Sequence, residues 1–172
     1  MLYAMNPAEF VTRLAEWQPF CAALAGASAT FAGLLFVSLS VNPVLLGGKD
    51  QGADRLARHT LGCFIYLVLT ALVVMIPRQG PLGIAIPLFG LGVGALVNTI
   101  RASRAEGTTE SHRIKRDRAL YRLSTITYSA LMAVAIGLAF EVEQALYVLM
   151  AAMLWQLAWA TKLAWDLLMV RD

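Results

Sequence analysis

Lys162 and Asp166 stand four residues apart in the stretch AWATKLAWD, inside an apolar run from Ala145 to Val170 that is long enough to cross a bilayer. Ionisable side chains are costly in hydrocarbon. Those found there face a bundle interior or a wet cavity, pair with one another, or reach for the interface. A spacing of four puts Lys162 and Asp166 on one helix face, where opposite charges can pair. Trp155 and Trp159 continue that face and Trp165 stands beside it. A lysine stem can snorkel toward an interface where tryptophans also gather. Two readings follow: an interfacial anchor, or part of a polar site.

The second reading depends on company. Ser38, Asn42, Arg58, His59, Asn98 and Arg101 all fall near the same ends of three apolar segments. With Lys162 and Asp166 they form a candidate polar mouth. Asn42 precedes Pro43, which disfavours continuing a helix and can leave carbonyls available to such a mouth. No nucleophile-and-base arrangement, paired carboxylate, metal-ligand spacing or phosphate loop accompanies these residues, so neither an enzyme nor a cofactor or metal site is expected. Glu141 and Glu143, two apart, cannot share a helix face and read as a solvated turn. The hydroxyls of STITYS, Ser124 to Ser129, are expected to bond to backbone or to neighbouring helices.

The elements that must position these groups follow from composition. Of 172 residues 59 % are hydrophobic and 15 % charged, against roughly 25 % charged in soluble domains. A crossing takes about 20 apolar residues, and five segments qualify, at about 19–41, 57–76, 82–100, 119–140 and 145–169. The fold expected is all-α: a polytopic transmembrane helical bundle forming one integral membrane domain over 1–172. The first span is expected to be retained, because no cleavable secretory pattern precedes it.

With five spans, the loops after the first and third share a face with the C-terminus. That face carries Lys49, Arg55, Arg58, Arg101, Arg104, Arg113, Lys115, Arg116, Arg118, Arg122 and Arg171, whereas the other has only Arg13 and Arg78. Cationic loops stay in the cytoplasm, so the N-terminus is expected outside and the C-terminus inside. No nucleic-acid motif accompanies the net charge of +3. A re-entrant hairpin of segments two and three, prompted by Pro87 and the glycines from Gly80 to Gly94, would redistribute the faces. Cys21 and Cys63 fall near opposite ends of their spans, too far apart for a disulfide, and read as small buried side chains.

Ahead of span one, residues 1–18 contain NPAEFVTRLAEW. With Asn6 at the N-cap, Pro7 at N1 and Glu9 at N3, this matches helix-start grammar. Phe10, Leu14 and Trp17 give it an apolar side. A short interfacial amphipathic helix and a simple extension of span one bending near Pro19 are both compatible. Small residues mark close helix contacts in lipid. Ala22, Gly26, Ala29 and Gly33 make one such face, and Gly90 with Gly94 another, for packing within the chain or between subunits. The basic run HRIKRDRALYR, with Arg113, Lys115, Arg116 and Arg118, is either a topology anchor or a contact for anionic lipid or a partner.

The stretch GASATFAGLLFVSLSVNPVLL from Gly26, with RHT at Arg58 to Thr60 and LVVMIPRQ at Leu72 to Gln79, resembles a widespread group of small bacterial multi-span proteins. Some of its members are labelled modulators of a membrane-bound AAA protease. The resemblance covers the first half of the chain and implies a bacterial inner-membrane location without implying a mechanism. Together these readings lead to an integral membrane protein expected to form a homo-oligomer. The leading expectation is an ion or small-solute channel with a polar cytoplasmic mouth. The alternatives are a regulatory or scaffolding subunit that binds a membrane protein or anionic lipid, and a secondary transporter.

Overall fold

A computed structural model describes residues 7–41, 51–104, 113–140, 142 and 144–169, with side chains at 10–41, 56–101, 123–140, 142 and 144–167. Five helices fill these stretches: α1 Pro7–Val41, α2 Gln51–Met75, α3 Pro81–Arg104, α4 Arg113–Ala139 and α5 Gln144–Met169. In lipid a helix satisfies every backbone polar group internally, and this is why long apolar runs take that form. Four of the helices are long and apolar enough to cross a membrane, over Phe10–Val41, Leu56–Met75, Pro81–Arg101 and Gln144–Leu167. In α4 the described apolar stretch is Leu123–Ala139, which is shorter. Segments two and three are each an unbroken helix of more than twenty residues, and α3 runs through Pro87.

The N-terminal stretch is not a separate element. Helix α1 continues through Pro19 for 35 residues, about 52 Å at 1.5 Å per residue and well beyond a hydrocarbon core of about 30 Å. Proline removes one backbone hydrogen bond, but the apolar residues on either side hold the same helix. The apolar side of residues 10–17 is not laid out for a lipid surface either. Phe10 and Leu14 are each only 2 % exposed, so protein covers that side.

The chain divides into two compact units, one of Met1–Ala15 with Pro77–Ala152, the other of Glu16–Ile76 with Met153–Asp172. In the first unit α3 and α4 pack along one another. Ile84, Ala85, Leu88, Ala95 and Thr99 of α3 are buried, as are Ser124, Tyr128, Leu131, Val134, Ala135 and Leu138 of α4. Both sets recur at three- and four-residue steps, the stripe of a helix buried on one side. Gly92 lies at the closest approach, where an added Cβ would sit 2.6 Å from Met132 Cγ and 3.6 Å from both Met132 N and Tyr128 O. The link from α4 to α5 is equally tight. Val142 N donates to Gly137 O at 3.1 Å, and Val142 O accepts from Ala145 N at 3.0 Å. One residue therefore ties off the carbonyl end of α4 with a six-to-one bond and opens the next helix. A Cβ on Gly137 would lie 3.3 Å from that of Ala145.

In the second unit α2 buries Ala57, Thr60, Cys63, Phe64, Leu67, Thr70, Ala71 and Val74. Two clusters form there: Leu35 and Leu39 of α1 with Ala57 and Leu167, and Cys63 and Phe64 with Ala160. Phe31 stacks on Phe64 with ring centroids 5.8 Å apart. Ile65, Leu69, Leu72 and Ile76 point outward, as expected of a face given to lipid. Hydroxyls inside the helices bond to their own backbone one turn back, among them Ser28 to Leu24 O, Thr60 to Leu56 O and Thr127 to Leu123 O. Such bonds let polar residues sit in apolar helices without an external partner.

Candidate functional site

The polar residues of the second unit meet where α2 faces α5. Gln156, 8 % exposed, donates from Nε2 to the Cys63 carbonyl at 3.2 Å. One turn before Cys63, His59 is half-buried, and its Nε2 stands 3.8 Å from the Cys63 Sγ. One turn beyond Gln156, the indole Nε1 of Trp159 is buried and makes no hydrogen bond. A buried donor left unpaired costs about 1–3 kcal/mol. The Lys162 Nζ then lies 5.3 Å from the centre of the Trp159 ring, a cation–π distance. The Lys162 side chain is exposed, and its ammonium rests over an indole of its own helix.

The residues expected at a polar mouth do not all appear in one unit. Ser38 and Asp166 are half-buried and Arg58 exposed, all in the second unit with His59 and Lys162. Asn98 and Arg101 are exposed on α3 in the first unit. Asn42 lies outside the described residues, as do the side chains of Arg113, Lys115, Arg116 and Arg118 at the start of α4. Asn98 and Arg101 continue one face of α3 at helical spacing from Gly90 and Gly94, and all four are exposed. This face points away from the α4-packing side that holds Gly92, Ala95 and Thr99.

The small-residue face of α1 is likewise uncovered. Ala22, Gly26, Ala29 and Gly33 are all exposed, and a Cβ on Gly26 or Gly33 would meet nothing within 4 Å outside its own helix. Gly90 is equally open. Among the described residues packing therefore does not use Gly26, Gly33 or Gly90, whereas Gly92 and Gly137 lie at close contacts. Cys21 and Cys63 are buried thiols not joined in a disulfide. Among the described residues no group of His, Cys, Asp and Glu could hold a metal ion.

Two residues of consequence escaped the sequence reading. Gln156 had a usable signal, an amide in the middle of an apolar run, where such groups bond across helices. Gly92 had none, because the four-residue step from Gly90 to Gly94 draws attention to the opposite side of α3. No protein-family model, curated protein or solved structure matches the chain.

Proposed function

We propose that this multi-pass membrane protein works as a homo-oligomer and forms a channel for an ion or small solute. The observation that supports this reading most is the uncovered face of Ala22, Gly26, Ala29 and Gly33. Lipid-facing positions gain nothing from small residues, whereas helix pairs do, through close backbone approach. The second uncovered face, on α3, runs from Gly90 and Gly94 to Asn98 and Arg101. Lining of an assembled pathway by that face would give it a narrow glycine stretch and a polar, cationic mouth. On this reading α4 is a fifth crossing, and the basic segments hold the mouth in the cytoplasm of a bacterial inner membrane. The charge asymmetry and the family resemblance favour that placement.

Replacing both Gly26 and Gly33 with Leu is expected to abolish subunit crosslinking through a cysteine at Ala29 while the monomer still folds. Reconstituted protein is expected to conduct, and Asn98→Ala with Arg101→Ala to change conductance severalfold without changing subunit number. Oligomeric, correctly inserted protein with no flux would overturn the channel. It would leave a regulatory subunit that docks a partner or anionic lipid through Arg113, Lys115, Arg116 and Arg118. Orientation has its own test: a cysteine at Thr108 should react with an impermeant maleimide in inverted vesicles and stay unlabelled in intact spheroplasts. Labelling in spheroplasts would reverse the topology.

A further inference from the structure

From Arg55 to Ala105 the chain contains no Asp or Glu, and every formal charge in that stretch is an arginine. The stretch includes all of α3. Among the described side chains the acids are Glu16 on α1 and Asp166 on α5, and both belong to the second unit. Two of the arginines bracket the α3 crossing: Arg78 is exposed in the turn before the helix, and Arg101 is exposed near its far end. The crossing from Pro81 to Arg101 has 21 residues, about 30 Å at 1.5 Å per residue and equal to the thickness of a hydrocarbon core. A cation therefore stands at each end of it.

Asn98 lies three residues before Arg101 on the same exposed face of α3, and its amide can donate to an ion. The backbone offers a cation little in return. A carbonyl filter needs its oxygens turned toward the ion, whereas α3 is a continuous helix that spends its carbonyls on its own amides. Pro87 has no N–H and leaves a single carbonyl, that of Gly83, without its usual donor.

We infer that the pathway lined by this face conducts small hydrated anions of the chloride class and disfavours cations, with Arg101 and Asn98 as the selecting residues. The inference deepens the channel reading and rests on it. In an oligomer each subunit contributes one Arg101, and rings of Arg or Lys favour anions as rings of Asp or Glu favour cations. Charge of one sign at a narrow mouth concentrates counter-ions and repels ions of its own sign.

The test is the reversal potential of the full-length protein in planar bilayers across a gradient of potassium chloride, because that potential reports selectivity whatever the size of the current. Chloride is expected to be favoured over potassium by about fivefold or more, the worth of one unit charge about 4 Å away in water. Arg101→Lys should keep the preference and Arg101→Cys should bring the ratio close to unity. Reaction of the new thiol with a cationic methanethiosulfonate should then restore chloride preference, and an anionic one should turn it to potassium. Cys21 and Cys63 are buried and do not compete for the reagents. One folded protein thus carries three charge states, and if Arg101→Cys does not insert, Asn98→Asp makes the same test by adding the opposite charge beside Arg101. Wild-type current that is unselective or favours potassium overturns the inference and leaves the channel standing. A ratio unmoved by the charge at position 101 or 98 also overturns it, by making Arg101 a membrane anchor only. No current from correctly inserted oligomer overturns the channel and the inference together.

Discussion

Gly92→Val is expected to destabilise the protein by about 2–3 kcal/mol, the upper part of the range for forcing extra atoms into a packed interior. The reason is local. A Cβ at this position would fall 2.6 Å from Met132 Cγ, too close for the methionine to evade by rotating its far end. The next obstacles, Met132 N and Tyr128 O at 3.6 Å, are backbone, and the two further methyls of valine leave α3 and α4 no option but to separate. Gly90→Ala provides the control. It adds its methyl to open space, so unfolding of the monomer in detergent should change by less than about 0.5 kcal/mol. Gly92→Ala with Met132→Ala should show a coupling of at least about 1 kcal/mol in a double-mutant cycle, since the two side chains compete for one volume. If Gly92→Val unfolds at the wild-type denaturant midpoint, the close approach of these helices is wrong.

What could be read from the chain beforehand divides along physical lines. Helix existence was legible because hydrocarbon solvent leaves a long apolar run almost no other structure. The five helices accordingly cover the segments expected, and α2 and α3 are whole helices in spite of Pro87. Continuity across Pro19 was not legible, because a proline permits either a break or passage, and α1 takes the second course. The facing of each helix was the hardest part. In water an apolar stripe identifies the core, whereas in lipid both sides of a helix are apolar, and packing is chosen by shape. That is why Gly90 and Gly94 gave a motif and Gly92 the contact. The polar mouth was read from depth alone: charge and spacing gathered Ser38, Asn42, Arg58, His59, Asn98, Arg101, Lys162 and Asp166 at common helix ends. Depth along a helix says nothing of its rotation or its neighbours, and Asn98 and Arg101 belong to a different unit from the rest.

The second large effect is expected at Gln156, and its pattern matters more than its size. The acceptor of its hydrogen bond is a helix carbonyl, Cys63 O, so Cys63→Ala should leave the bond in place. Losing the Gln156 amide orphans little on α2, because helical carbonyls bond within their own helix. Gln156→Leu, which keeps the volume, should therefore cost only about 0.6 kcal/mol, the average worth of an interhelical hydrogen bond in membrane proteins. Gln156→Ala should cost about 2–3 kcal/mol, because the side chain is 8 % exposed and its removal leaves a void beside Cys63. Gln156→Glu should cost most, about 3 kcal/mol or more, by directing a carboxylate at a carbonyl oxygen in a dry interface. Unfolding of the three variants in the same detergent would rank them Leu, Ala, Glu in order of increasing damage. A Leu variant as damaged as the Ala variant would mean that α2 and α5 are held by the hydrogen bond rather than by fit, and the polar contact, not the packing around it, would then fix the rotation of α5 against α2.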